Sequence, residues 1–597
     1  MTVPYRRPLS AVMFLLALAA SSPASAQLTL PDILTFRPPP EAPVYARERL
    51  AKAKPDECFA GIGVDYPPLN LDGTCSLGQP KVNQSYIWGM ARAGVGDAGF
   101  SGDEVWFGTI ANPLCDGAAG VLEPEAVLHT SWACEYGQSM LARREVAPLP
   151  PSAGDWRQPK IYSYKLSTRQ LTDRTPPRDS ALKTVTGFRS AGALGNVVFV
   201  AGPDMLARVV FAAYDASTGA FKGSCRASAL RNIRSWIVVN GVLYAGAGRQ
   251  SADGVVLRWR GTTADPYAGA TSPSEYCGFE IVGVLPDMPS YFADYDGKRL
   301  AATVWADSHR ESGAPTNPFT SGLYVGPLYG SDGAYTSADA PARWQRLWGM
   351  LDYEQDPVVA AAGGGGALAF WRGWLWFGTM HNTAGTITSH TRCTLPACFG
   401  QPQNADEQRT LLFNATRAAS IWRARVADTG SPQVELLYGE TELPALVPGT
   451  RTFAMQPTGW TPRHGSSGMN NPFLTYAWSA SAGTDDLMFG FYDYRYVFDV
   501  NFGLIPDQPP PAPAPDPLRG YGADLWRFTD PEAAAVPEAT AGLTNFSNYG
   551  VRNMLRLDGG RDVLLGIANS LNLEPQGGWE LIRLTAPVGV GRGTNGR

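Results

Sequence analysis

The stretch NIRSWIVVNGVLYAGAGR (residues 232–249) has the pattern of a β-hairpin. Two apolar runs rich in β-branched and aromatic residues flank the dipeptide Asn240-Gly241. Asn-Gly supplies the positive φ angles that a two-residue hairpin turn requires. The runs show no clean alternation of apolar and polar residues, which is typical of strands covered on both faces. The stretch therefore predicts a buried hairpin.

The same pattern recurs six more times along the chain, which makes it an internal repeat. Each copy has an apolar strand, a tight polar turn and a second strand that ends in an aromatic-glycine pair or in small residues. The other copies are residues 85–112, 187–204, 291–307, 366–382, 475–493 and 550–569. A third apolar strand follows each hairpin, at residues 161–166, 209–214, 255–261, 321–326, 420–426, 524–528 and 579–584.

Seven such units in succession resemble the β-propeller superfamily. Their spacing averages roughly 75 residues, against about 40–50 for WD40 or kelch repeats, and neither signature recurs, so no specific family is matched. The resemblance implies an all-β fold, a single seven-bladed β-propeller of antiparallel blades over residues 55–590. An N-terminal extension (27–54) would precede the propeller domain and a short tail (591–597) would follow it. A β-sandwich or two smaller β domains is the alternative fold.

Two further expectations follow from this fold. Helices should make up well under 15% of the chain, against about a third in ordinary globular proteins. The last blade also needs a partner for its outer strand, since an open edge invites aggregation. We predict that residues 57–66 pair with residues 579–584 and so close the seventh blade.

The N-terminus has the features of a signal peptide over residues 1–26. Arg6 and Arg7 form a charged start, an apolar run covers residues 11–20, and Ala24-Ser25-Ala26 is a small-residue cleavage site. No later apolar run approaches the roughly 18 residues of a membrane span. We therefore expect a secreted or periplasmic protein with no membrane span.

The eight cysteines fit an oxidising compartment, where disulfides persist. They fall into pairs close in sequence, although eight cysteines allow about 105 connectivities and short loops are only a preference. No CxxC pattern is present and no histidine has zinc-finger spacing, so we expect neither a metal nor another cofactor. The predicted disulfides are Cys58–Cys75, Cys115–Cys134, Cys225–Cys277 and Cys393–Cys398.

The charge balance argues against nucleic acid as a partner. The net charge is −5, only 17% of residues are charged, and basic runs are absent. Nucleic-acid-binding proteins carry clustered lysines and arginines instead. The expected partner is an extracellular small molecule or polysaccharide, bound by a monomer.

The positions just before the first strands predict a polar ring at one end of the propeller. Arginine forks match carboxylates and sulfates, and tyrosines offer a stacking face and a hydroxyl. The prediction is an exported propeller that binds an anionic or polyhydroxylated ligand, such as a carbohydrate, at this mouth. Alternatively, the arginines pair with Asp204, Asp307 and Asp493 and close the channel. The candidate ligand-binding residues are Tyr86, Arg189, Arg234, Arg249, Tyr291, Asn382, Asp493 and Arg552.

Catalysis at the same mouth is the alternative function, and the sequence leaves open whether the protein is an enzyme. Only five histidines are present, and no HExxH, phosphate-binding loop or nucleophile elbow occurs. A histidine, a tyrosine and an arginine together resemble, by fold analogy alone, the sites of propeller polysaccharide lyases. The candidate catalytic residues of such a lyase or hydrolase are His381, His464 and Tyr476.

Overall fold

The computed structural model describes residues 36–64, 67–94, 102–115, 127–128, 133–134, 155–268, 273–306, 320–426, 431–493, 495, 522–557 and 560–587. Strands account for 47% of the residues and helices for 11%. The predictions of an all-β fold and of low helix content are confirmed. The predicted signal peptide (1–26) and tail (591–597) lie outside the described residues.

Most strands form seven antiparallel four-stranded units, which we number in chain order. Three strands precede them: β1 (Ala46–Lys52), β2 (Glu57–Phe59) and β3 (Gln79–Lys81). Unit one is β4 (Gln84–Arg92), β5 (Glu104–Ala111), β8 (Ile161–Lys165) and β9 (Gln170–Asp173), with the short β6 (Val127–Leu128) and β7 (Ala133–Cys134) between them. Unit two is β10 (Ser190–Leu194), β11 (Val197–Pro203), β12 (Val209–Asp215) and β13 (Ala220–Ala227). Unit three is β14 (Leu230–Val239), β15 (Val242–Arg249), β16 (Gly254–Trp259) and β17 (Phe279–Leu285).

The remaining units follow the same order. Unit four is β18 (Met288–Tyr295), β19 (Arg299–Trp305), β20 (Gly322–Val325) and β21 (Gln345–Gly349). Unit five is β22 (Gly363–Trp371), β23 (Trp374–His381), β24 (Ile421–Val426) and β25 (Pro432–Tyr438), and the hairpin β26 (Glu442–Leu446) and β27 (Phe453–Pro457) follows it. Unit six is β28 (Leu474–Ala482), β29 (Leu487–Asp493), β30 (Leu525–Phe528) and β31 (Val536–Ala539). Unit seven is β32 (Asn548–Arg556), β33 (Val563–Asn569), β34 (Glu580–Thr585) and β1.

The described helices are short. They are α1 (Pro273–Tyr276), α2 (Pro357–Ala362), α3 (Thr383–Arg392) and α4 (Ala405–Ala415). Within the described ranges, no helix is both long enough and apolar enough to cross a membrane.

The hairpin predicted over residues 232–249 is formed by β14 and β15. Asn240 and Gly241 have φ angles of 48° and 71°, as the predicted two-residue turn requires. Trp236 of β14 stacks on Phe199 of unit two, with ring centroids 5.8 Å apart. Because apolar cores lie between neighbouring units, the strands are buried on both faces and lack alternation.

The expected resemblance to a propeller of seven separate blades is corrected by the strand pairing. Hydrogen bonding joins five of the seven units into one continuous 20-stranded sheet, and the described strands form no closed barrel. Only units two and three are separate four-stranded sheets. The joins are single residue pairs between neighbouring units: Trp305–Gly364, Met380–Tyr476, Tyr492–Gly550 and Ala568–Tyr86. Small residues at several of these positions let the backbones approach closely enough to pair.

The first strands of the units contact one another in chain order. These strands are β4, β10, β14, β18, β22, β28 and β32, and β32 also contacts β4. The contacts therefore return to their starting point.

The prediction that residues 57–66 pair with the last strand of unit seven is wrong. β34 does gain an N-terminal partner, but that partner is β1, in antiparallel register from Ala46 opposite Thr585 to Lys52 opposite Glu580. Residues Glu57–Phe59 pair with Gln79–Lys81 instead. The short hairpin between β2 and β3 satisfies its own backbone groups, so the segment before it is the one available for β34.

All four predicted disulfides are confirmed. Their Cα–Cα separations are between 5.4 and 5.8 Å. Three of them staple loops within or beside one unit, whereas Cys225–Cys277 joins β13 of unit two to the loop before β17 of unit three.

Candidate ligand-binding cleft

Five of the eight predicted ligand-binding residues lie near one another: Tyr86, Arg189, Arg234, Tyr291 and Arg552. They surround or join a cluster of aromatic side chains, which we call the central cluster: Tyr86, Trp88, Tyr291, Trp305, Tyr476, Trp478, Tyr492 and Tyr549. Its rings pack mostly edge to face; the centroids of Tyr86 and Trp478, for example, lie 5.8 Å apart. Such packing fills the space that an open mouth would need.

Three of the four arginines predicted to bind ligand are buried against these aromatic side chains. Arg189 lies over Trp88, with the guanidinium carbon 5.4 Å from the ring centroid, Arg234 lies 5.5 Å from that of Trp305, and Arg552 lies 5.4 Å from that of Trp478. Their exposed fractions are 8%, 8% and 3%. At this depth the guanidinium groups belong to the packed interior and stabilise it through cation–π contacts.

Hydrogen bonds tie the same groups together. Arg552 Nη1 donates to the hydroxyl of Tyr291 at 2.9 Å, and Tyr291 donates to the carbonyl of Trp478. The hydroxyl of Tyr549 donates to that of Tyr86, and burial raises the pKa of Tyr86. The predicted carbohydrate-binding mouth, with its lyase or hydrolase alternative, is therefore wrong, because these polar groups face one another and little of them faces solvent.

The other predicted site residues lie apart from the central cluster. Arg249 donates hydrogen bonds from Nε and Nη2 to the two carboxylate oxygens of Asp253. Asn382 caps α3 by accepting a hydrogen bond from Gly385 N at 3.0 Å. Asp493 is buried and accepts hydrogen bonds from Asn471 Nδ2 at 3.3 Å and Arg495 N at 2.7 Å. Of the aspartates expected to pair with the ring, Asp204 binds Arg208 and Arg226 instead, and Asp307 lies outside the described residues.

The three candidate catalytic residues are not assembled into one site. Tyr476 stacks on Tyr492 in the central cluster, with centroids 5.1 Å apart. His464 packs against Tyr438, at a centroid distance of 5.7 Å. His381 ends β23 and lines a separate cleft. A shared acid–base step between these three groups has no support in this arrangement.

The cleft at His381 has a volume of about 460 Å³. It is built by insertions into unit five. The helices α3 and α4 occupy the connection between β23 and β24, and the hairpin β26–β27 lies between β25 and β28. Asn404 starts α4 by accepting a hydrogen bond from Glu407 N at 2.9 Å, which fixes the helix that carries Phe413 into the wall. The cleft size is within the range of small-molecule sites.

Arg417 lines the cleft, but its guanidinium group is fully engaged. Nε and Nη2 donate to the carboxylate of Glu354 at 2.7 and 3.1 Å. Nη1 donates to the carbonyl of Asn414, and Nη2 also donates to that of Pro444 at 2.6 Å. Both Arg417 and Glu354 are almost completely buried, so the pair neutralises itself. Arg417 is therefore not available as an anion clamp.

Glu440 is the principal charge left in the cleft. Its Oε1 accepts a hydrogen bond from Ser467 N at 3.0 Å, and the Ser467 hydroxyl also bonds the carboxylate. Burial raises the pKa of Glu440. Among the described residues, no lysine or arginine forms an ion pair with Glu440 or with the exposed Glu442 that begins β26. The cleft is thus acidic, whereas the predicted site was basic.

His381 adds no positive charge to the cleft. Burial, with a smaller contribution from the charge of Arg417, lowers its pKa to about 3. Its Nε2 shares a hydrogen bond with the Thr379 hydroxyl at 3.1 Å, and Nδ1 has no hydrogen-bond partner. The imidazole is therefore neutral at physiological pH.

The wall formed by residues 466–470 has a strained backbone. Gly468, Met469 and Asn470 have consecutive φ angles of 61°, 56° and 69°. The turn is held by Asn470 Oδ1, which accepts a hydrogen bond from Ser466 N at 2.9 Å, and by the buried side chain of Met469. Left-handed backbone at non-glycine residues is costly and is concentrated at functional sites.

Sequence reasoning placed His381 among the candidate residues but missed Glu440, Tyr353, Phe413 and Phe36. These residues come from segments far apart in the chain, so no local motif marks them. One signal was present: residues 426–450 include Asp428, Glu435, Glu440 and Glu442 but no lysine or arginine. A stretch of one charge sign indicates a local acidic surface, although Glu435 of this stretch is paired with Arg423 and Arg463.

No family model matches the chain, and no curated protein matches it. Among solved structures, a puromycin hydrolase is 10% identical, with a TM-score of 0.37 over 84% of this chain and 51% of the other. A structure from a study of two prolyl endopeptidases is 8% identical, with a TM-score of 0.35 over 81% of this chain and 46% of the other. The chain therefore spans about half the length of these proteins. Scores this low assign no activity to the chain.

Proposed function

We propose that the protein binds an organic cation in the cleft of unit five. The observation that carries this proposal is the carboxylate of Glu440, which is part-buried in the cleft without a basic partner among the described residues. A carboxylate in such a place is most stable as an anion when a cation lies beside it. The basic group could belong to a small amine or to a peptide, since both present the same charge.

The neighbouring charges support a cation over an anion. Glu442 adds a second carboxylate at the rim, Arg417 is neutralised by Glu354, and His381 is neutral. An anionic ligand would lie beside two carboxylates, and the one arginine that lines the cleft, Arg417, is already paired with Glu354. Complementary charge also raises the rate of encounter with the ligand.

The test is isothermal titration calorimetry of the full chain with benzylamine and with a short peptide that has one arginine. We expect Glu440→Gln to weaken binding of the preferred cation at least about tenfold, which corresponds to about 1.4 kcal/mol. Glu275→Gln, on α1 of unit three, is the matched control and should leave the affinity unchanged. Binding of benzoate in place of both cations would contradict the proposal.

For the fold, we propose that the seven units surround a common axis within a single domain. The cyclic contacts between their first strands support this arrangement. On this proposal the ring residues Tyr86, Arg189, Arg234 and Arg552 close the interior rather than bind a ligand. Export to an oxidising compartment is a further proposal, supported by the four disulfides and by the sequence of residues 1–26.

A further inference from the structure

The cleft is lined by aromatic and apolar side chains as well as by acidic ones. Phe36, Tyr353, Phe413 and Met455 all line the same cavity as Glu440. Aromatic faces attract cations through the ring quadrupole, and they do so most strongly where the cation has little water to lose. The wall composition therefore favours a cation with a weakly held hydration shell.

Phe36 is held at the cleft by its own chain segment. Its ring packs edge to face on Phe473, with centroids 6.1 Å apart. The residues that follow are anchored on unit six, since Glu41 accepts a hydrogen bond from Thr540 N at 2.8 Å and Ala42 N donates to Pro537 O at 2.8 Å. This aromatic wall is thus placed by the fold before a ligand arrives.

Four backbone carbonyls of the cleft wall already accept hydrogen bonds. The carbonyl of Pro444 accepts from Arg417 Nη2, that of Thr416 accepts from Arg417 Nη1 at 3.3 Å, and that of Glu440 accepts from the Thr458 hydroxyl at 2.9 Å. The carbonyl of Ser466 accepts from Asn470 N at 3.2 Å. A primary ammonium has three N–H donors that each need an acceptor once water is removed. The cleft therefore offers negative charge from its carboxylates, and at least four of its backbone carbonyls already use one lone pair.

From these observations we propose that the cleft selects a fully alkylated ammonium group over a primary one. A quaternary ammonium has no N–H to satisfy, presents methyl groups to Phe36, Phe413 and Tyr353, and is attracted by Glu440 without a direct hydrogen bond. This inference rests on the proposed function, because it names the class of cation that the same site takes.

The experiment is isothermal titration of the full chain with tetramethylammonium chloride and with methylammonium chloride at one ionic strength. We expect tetramethylammonium to bind at least about tenfold more tightly. Phe413→Leu, which keeps an apolar side chain but removes the ring, should remove most of that preference. Phe413 is only part-buried, so the variant should fold; Phe221→Leu, a part-buried ring in unit two, is the matched control and should keep the preference.

The outcomes separate the two proposals. Equal or tighter binding of methylammonium overturns the selectivity inference and leaves the organic-cation site standing. A preference for tetramethylammonium that survives Phe413→Leu also overturns the inference, since the ring would then play no part. If neither cation binds and the benzylamine and peptide titrations also fail, the proposed function itself is contradicted.

Discussion

The central cluster and the cleft both combine aromatic rings with charged side chains, but their charges face different surroundings. In the central cluster, Arg189, Arg234 and Arg552 are buried against tryptophan rings, and Arg552 also donates to Tyr291. In the cleft, the arginine is neutralised and a carboxylate faces a cavity of about 460 Å³. The two regions show that the type of residue alone does not mark a binding site.

The two regions differ in which charged groups remain available to a ligand. A buried guanidinium stacked on a ring stabilises the fold and is costly to uncover. A carboxylate beside open space, with its pKa raised by burial, gains from a ligand of opposite charge. Substitutions in the central cluster should therefore change stability, and substitutions in the cleft should change binding.

The largest expected effect comes from Trp478→Ala. Trp478 is 6% exposed and contacts the rings of Tyr86, Tyr476 and Tyr492 as well as the guanidinium of Arg552. Removing the indole should lower the free energy of unfolding by about 3–5 kcal/mol, because it leaves a cavity in a packed interior. Denaturant unfolding measures this change.

The cleft provides the contrast to that variant. Phe413→Ala should cost less than about 1.5 kcal/mol, since the side chain is part-buried, but should weaken binding of an organic cation. A Trp478→Ala protein that loses little stability would show that the central cluster is not a packed core. The central cluster and the cleft would then not differ in their contributions to stability.

The sequence predicts those parts of the fold that depend on residues near one another in the chain. Asn240-Gly241 specifies its turn whatever surrounds it, and the cysteine pairs close short loops. The closing strand was missed because β1 has the sequence ARERLAK, which is charged and has no clear strand pattern. β1 forms a strand because it pairs with β34, which is more than 500 residues away in the sequence. The local pattern of residues 46–52 does not indicate such a distant partner.

The site could be predicted only in part for the same reason. His381 was found because it ends a recognisable second strand, β23. Glu440, Tyr353 and Phe36 meet at the cleft through tertiary packing of three distant segments. The ring arginines were identified correctly as inner residues, but whether they face solvent or tryptophan rings depends on side-chain packing that strand register does not reveal.

An effect on stability smaller than that of Trp478→Ala is expected at Asp493, which accepts a hydrogen bond from Asn471. Burial raises the pKa of Asp493 to about 6, although Arg495 and Asn471 partly offset this. The unfolded carboxyl titrates near 4, so the folded protein binds the extra proton between about pH 4 and 6 and loses stability as pH rises through that window. The size of this loss is on the order of 2–3 kcal/mol.

Asp493→Asn removes that titration. The variant should gain stability relative to the wild type on going from pH 5 to pH 7.5, because it no longer ionises the carboxyl at position 493, whereas the buried Asp524 is present in both proteins. Thermal unfolding at the two pH values measures the difference, and Asp485→Asn on the exposed turn before β29 is the control. If the stability difference between wild type and Asp493→Asn is the same at both pH values, another group carries the charge.

The smallest expected effect is the pH dependence of cation binding in the cleft. Burial raises the pKa of Glu440, and a bound cation favours the ionised carboxylate. Affinity should therefore be highest at neutral pH and fall a few-fold as the pH falls from 7.5 to 5. His381 cannot account for such a change, because burial lowers its pKa to about 3 and it stays neutral across this range. Glu440→Gln should bind more weakly at every pH and lose most of the pH dependence, whereas Glu442→Gln should keep it. Titration calorimetry at four pH values separates these cases. If Glu440→Gln retains the full pH dependence of binding, another carboxylate titrates and Glu440 does not have its proposed role.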